Sequence, residues 1–180
     1  VELHLGHDVL RVDLAAEQDG GQVDSGNVDE VIRHQLVVVE RRSVPAQRGL
    51  VVGAPDIEID LNGHTVASGL VTVPGEEDGL LAGIRNAGHA NVVIRNGTVR
   101  GFGYGVRLMA GARFNLVENL TLEGNVVAGV ELLDADDGRN GNTVRNNTFI
   151  GNGDGVALVG GTEAALVAAN TFGGNVGRAI

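Results

Sequence analysis

The run ELLDADDGR, Glu131 to Arg139, carries three closely spaced aspartates and an arginine, residue types that could hold a cation and move a proton. Asp134, Asp136 and Asp137 would wrap a hard cation, calcium above all, because such ions take several carboxylate oxygens at once. Beside that cation an acidic substrate loses its charge and its neighbouring C–H becomes easier to deprotonate, with Asp137 or Arg139 as the catalytic group at hand. The same run also reads as a solvated acidic loop, and both readings stand at this level.

Other chemistry-bearing residues have plainer roles. Arg95, Glu118 and Arg145 fall in one outward column of a repeat, Arg107 and Glu131 in a second, Arg100 and Glu123 in a third. Opposite charges on adjacent strands contribute about 0.2–1 kcal/mol per pair and oppose register slips, so these arginines are expected to be structural. Asp154 matches Tyr104 and Ala128 in that repeat and reads as a turn residue. His4, His7 and His34 would meet only if the first segment folds back, and His64 and His89 sit on expected bends. The sequons at Asn96, Asn119 and Asn146 arise from the repeat itself.

The repeat is what must position all of these groups. NVVIRNGTVRGFGYGVRL at 91–108, FNLVENLTLEGNVVAGVELL at 114–133, NTVRNNTFIGNGDGVAL at 142–158 and ALVAANTFGGNVGRAI at 165–180 align. Ile94, Val117, Val144 and Val167 form one apolar column; Val99, Leu122, Phe149 and Phe172 form another, five residues on. Between them lie Asn96, Asn119 and Asn146, followed by Thr98, Thr121, Thr148 and Thr171. Gly101, Gly124, Gly151 and Gly174 close each copy. The threonines step by 23, 27 and 23 residues, a solenoid period, and the long step is the one that contains the acidic run. Parallel strands about 4.8 Å apart would then stack like on like. The Asn96, Asn119 and Asn146 amides are expected to bond along their own column.

Composition agrees. The chain has 180 residues, 43% of them apolar but only 3% aromatic, so its core is built from Val, Leu, Ile and Ala. Twenty-nine glycines against three prolines suit many short strands and bends. The absence of cysteine removes thiolate metal sites and Cys nucleophiles, and the absence of lysine removes Schiff-base chemistry. A net charge of −10 argues against a nucleic-acid partner, which would need a basic stripe. No apolar run approaches the roughly 20 residues of a membrane span, so no membrane partner is expected.

Residues 1–45 hold 4 of the 29 glycines and no copy of the repeat, so they are expected to be a cap or attachment segment, with 46–180 as the repeat domain, cut short at its C-terminal side. VELHLGHDVLRVDL alternates like a strand, and Asn27 with Glu30 has the form of a capping box ahead of a short helix. Ile57, Ile59 and Leu61 alternate with Glu58 and Asp60 and open the first coil. A cap would keep the solenoid's end layer from water.

With DIEIDLNGHTV at 56–66 and the Asn-Thr-Gly coils, the chain resembles the right-handed parallel β-helix proteins of the pectate-lyase-like superfamily, over about residues 49–180. The resemblance implies an all-β fold: a right-handed parallel β-helix of about five coils with an N-terminal cap segment. It also implies a secreted or periplasmic setting and a polysaccharide partner. Members include lyases, polygalacturonases, epimerases and carbohydrate-binding proteins. The polygalacturonase series is present only as Asp136-Asp137 and as Gly88-His89-Ala90, in the wrong order, and the epimerase AspProHisAsp string is missing. Two functions follow. The first is a carbohydrate-associated module that binds an extended polysaccharide or serves as a stalk. The second is a calcium-assisted polyuronate lyase or epimerase working through Asp134, Asp136, Asp137 and Arg139.

Overall fold

The computed structural model describes residues 49–68, 82–133, 141–160 and 164–180, and the backbone of 2–5, 8–11 and 37–38. Sixteen strands follow in chain order: β1 (Glu2–Leu5), β2 (Asp8–Arg11), β3 (Val37–Val38), β4 (Leu50–Val52), β5 (Glu58–Asp60), β6 (Thr65–Ala67), β7 (Ala82–Ala87), β8 (Val93–Arg100), β9 (Tyr104–Met109), β10 (Leu116–Glu123), β11 (Ala128–Leu133), β12 (Thr143–Arg145), β13 (Thr148–Ile150), β14 (Asp154–Val159), β15 (Leu166–Ala168) and β16 (Thr171–Gly173). The chain alternates between two parallel sheets. One stacks β5 and β6, β8, β10, β12 and β13, then β15 and β16; the other runs β14, β11, β9, β7, β4. Three turns, carried by β8 to β14, have neighbours on both sides of their first-sheet strands, and a partial turn flanks them at each end. The expected five coils are thus three full turns and two partial ones among the described residues.

The apolar columns fall in the expected register. Ile59, Ile94, Val117, Val144 and Val167 stack, as do Val66, Val99, Leu122, Phe149 and Phe172. The first four members of each column are fully buried. At about 1.5–3 kcal/mol for each Val, Leu, Ile or Phe taken out of water, these columns supply the main drive to fold. The Phe149 and Phe172 rings stack with centroids 4.9 Å apart.

The corners explain the asparagines, and correct one expectation. Left-handed residues recur every five positions in each full turn: Asn91, Asn96, Gly101; then Phe114, Asn119, Gly124; then Gly141, Asn146, Gly151. Asn96, Asn119 and Asn146 therefore occupy corners with φ of 59°, 52° and 55°. Asparagine suits them because its short polar side chain tolerates that conformation better than other residues with a Cβ. They do not form the amide ladder. The ladders belong to the residue after each corner, which turns inward: Asn115 with Asn142, Asn147 with Asn170, and Asn125 with Asn152 and Asn175. Each ladder Oδ1 accepts from the backbone N–H one turn below, as Asn152 does from Asn125 at 3.0 Å, while Asn152 Nδ2 donates to the Leu122 carbonyl at 2.8 Å. Buried corners would otherwise orphan backbone groups, so the side chains complete the bonding that the bend interrupts.

The charged columns hold in part. Arg145 bonds Glu118 at 2.9 Å, and Arg107 pairs with Glu131. Arg95 departs from the expectation: it reaches Glu58 at 2.5 Å and Asp60 at 3.2 Å on the rung below, because two carboxylates lie there and Glu118 is already engaged by Arg145. Arg100 stands opposite Glu123 in register, both exposed, without an ion pair among the described residues. Asp154 opens β14 instead of pointing from a bend, and its Oδ1 accepts the Arg178 N–H at 2.7 Å.

At the first edge, β3 joins β4 antiparallel, with Val37 opposite Val52. Separately, β1 pairs with β2 antiparallel as a two-stranded sheet of its own. The helix expected after Asn27 and the rest of the cap expectation lie outside the described residues.

Candidate functional site

Asp134, Asp136, Asp137 and Arg139 all fall in 134–140, outside the described residues; the flanking positions are Leu133, which ends β11, and Gly141. Among the described residues no group of three or more His, Asp or Glu could hold a metal ion. His89 is held as a turn residue, its N–H donating to Asn86 Oδ1 and its carbonyl accepting from Asn86 Nδ2, both at 2.9 Å.

The most buried cluster of charged side chains among the described residues sits on the outer face of the second sheet, where Tyr104, Arg107 and Glu131 converge. Tyr104 and Arg107 lie on β9, and Glu131 lies opposite Arg107 on β11. After Tyr104 the chain turns Gly105 and Val106 both toward the core, which returns Arg107 to the side of Tyr104. The Arg107 guanidinium lies 4.4 Å from the Tyr104 ring centre, and its Nε–H donates to Glu131 Oε2. Tyr104 and Glu131 are each 5% exposed. A cation over an aromatic face, neutralised by a carboxylate, is a self-contained arrangement.

Tyr104 is pushed above the ordinary phenol value, first by burial and then by the Glu131 charge, with Arg107 opposing and a hydrogen bond to Glu131 adding to the rise. At neutral pH the phenol is a donor and not a base. Because folding favours the neutral phenol, the stability linked to it is fully present below the ordinary phenol pKa and is lost as pH climbs past it. Tyr104 is the only tyrosine in the chain, so ultraviolet titration reads it alone. The phenolate midpoint is expected above that of a free tyrosine, and Tyr104→Phe should flatten the alkaline loss of stability; a midpoint at the free value would contradict the cluster.

Arg85 occupies the same outward column one rung below Arg107 and is exposed, without an ion pair among the described residues. Sequence reasoning pairs Arg107 with Glu131 but misses Tyr104. The signal is there, since Tyr104 and Arg107 are three apart across a Gly-Val step where alternation breaks.

A family model described as a right handed beta helix region matches residues 76–180. The chain belongs to the right-handed β-helix family. No curated protein and no solved structure matches it. In this β-helix the sequence expectation of an all-β right-handed parallel solenoid holds, and the Tyr104 cluster is a stitch between two of its coils.

Proposed function

We propose that this β-helix is a carbohydrate-associated module that binds an extended polysaccharide along its side, with the same regular shaft able to serve as a stalk. The observation that supports the reading is an outward column of threonines in continuous register. Thr65, Thr98, Thr121, Thr148 and Thr171 stand one per rung, at the strand spacing of about 4.8 Å. A surface with one residue per rung suits a polymer of repeated polar units, whose own repeat lies on the same scale. The interior amides and most described charges are meanwhile engaged in joining coils.

The lyase or epimerase reading would rest on Asp134, Asp136, Asp137 and Arg139. Affinity electrophoresis through gels containing pectate, alginate, glucan or galactan, with and without calcium, separates the two. Retardation by a polymer without formation of unsaturated or epimerised product supports the binding module. Product formation with calcium would replace it by the enzyme, and Asp136→Ala would then report on the loop. Unretarded migration in every gel contradicts the binding role.

A further inference from the structure

We infer that Phe114 is a stacking platform for a neutral pyranose ring of a polysaccharide, with Asn91 and Asp56 below it on the same corner supplying hydrogen bonds to hydroxyls of the adjoining sugars. The inference rests on the polysaccharide-binding reading and gives it a place. The chain has five aromatic residues. Phe102, Tyr104 and Phe149 are buried and Phe172 is partly buried against Phe149, whereas Phe114 is 56% exposed.

Two costs fall on Phe114. Its φ is 56°, a conformation that bulky side chains avoid, and its ring is left in water. The matching corner positions in neighbouring coils are Asp56, Asn91, Gly141 and Ala164, all small or polar and all left-handed. Among the described residues nothing requires an aromatic there.

The ring is nonetheless held in place. A Cβ on Gly141 would come within 2.7 Å of Phe114 Cδ1, so the ring rests on the bare backbone of the rung above. Asn115, the next residue, is buried, and its N–H and Nδ2 donate to Asn142 Oδ1 at 2.9 and 3.0 Å. A fixed ring gives up little freedom on binding, which favours affinity. Along the corner, Asn91 Nδ2 donates to Asp56 Oδ1 at 2.8 Å, and both residues are exposed. Among the described residues no hydrogen bond engages Asn91 Oδ1 or the second Asp56 oxygen, and both can accept from hydroxyls. An aromatic face meets the C–H face of one sugar, while the amide and carboxylate, one and two rungs below at about 4.8 Å per rung, meet hydroxyls of the adjoining sugars of the same polymer. The Asp56 charge favours a neutral sugar over a uronate.

Affinity electrophoresis with β-glucan, galactan and xylan tests this with the full chain. Wild type and Phe114→Trp are expected to be retarded. Phe114→Ala and Phe114→Gly should bind roughly tenfold more weakly or worse, the scale of one aromatic contact. Phe114→Gly suits the left-handed φ, so its thermal midpoint should hold or rise while binding falls. In wild type, the Phe114 ring resonances should shift on adding the retarding polymer's oligosaccharide. Equal retardation of wild type, Phe114→Ala and Phe114→Gly would overturn the platform and leave the binding module standing. Retardation by pectate or alginate alone would likewise overturn the neutral-sugar platform only. Retardation by none of these polymers would end both.

Discussion

Replacing Asn152 with alanine is expected to remove about 3–5 kcal/mol of stability, because several buried partners lose their bonds at once and each unsatisfied group costs about 1–3 kcal/mol. Asn152 is fully buried. Its Oδ1 accepts from the Asn125 N–H and Nδ2, and its Nδ2 donates to the Leu122 carbonyl and to Asn175 Oδ1. Alanine keeps the backbone and deletes all of these. Asn146→Ala, one turn corner away, alters an exposed left-handed residue and should cost much less, about 1–2 kcal/mol of backbone preference. Chemical denaturation of the two variants checks the contrast, and equal losses would mean that the ladder is not where the structure puts it.

Gly129→Ala should cost about 1–3 kcal/mol, the usual penalty for forcing extra volume into a packed core. A Cβ there would lie 2.5 Å from Phe149 Cδ1 and 2.9 Å from the Gly155 carbonyl oxygen. Phe149 is fully buried and stacked on Phe172, so its ring has little room to retreat. Gly173 is the control, since a Cβ at that position meets nothing within 4 Å and its φ is not left-handed. Gly173→Ala is expected to leave the denaturation midpoint within error. A Gly129→Ala protein as stable as wild type would contradict the packing of the second sheet against the aromatic column.

Which features the sequence discloses follows from what repetition reveals. Columns at fixed spacing appear as alignment, so Ile94 over Val117 and Val99 over Leu122 are legible in the residues themselves. Arg145 with Glu118 and Arg107 with Glu131 are legible for the same reason. Arg95 is not, because alignment shows which residues are neighbours and not which of two neighbouring carboxylates wins.

The asparagines illustrate a second limit. Asn is favoured both at a left-handed corner and in a buried ladder, so residue type alone does not separate Asn146 from Asn147. The five-residue step of Asn142, Asn147 and Asn152 does separate them, for three identical residues at one step in one coil mark equivalent corners. Phe114 is legible only as the first residue of a repeat. Its exposure and its φ are properties of the corner, and no periodicity carries them. The acidic run at 134–137 stays a sequence expectation, since it lies outside the described residues.

Assigning binding to the outside of the shaft depends on the inside being fully occupied by its own hydrogen bonds. Hydrogen exchange of the Asn125 and Asn152 side-chain amides measures that occupancy directly. Both donate within the ladder, Asn125 Nδ2 to Asn152 Oδ1 at 2.9 Å and to the Val99 carbonyl at 3.2 Å, and Asn152 Nδ2 to Asn175 Oδ1 at 3.1 Å. Their protons are expected to exchange only through opening of the coils, as slowly as the most protected backbone amides of β10. Exchange as fast as that of the exposed Asn119 amide would contradict the ladder, and with it the division between a structural interior and the exterior proposed to bind.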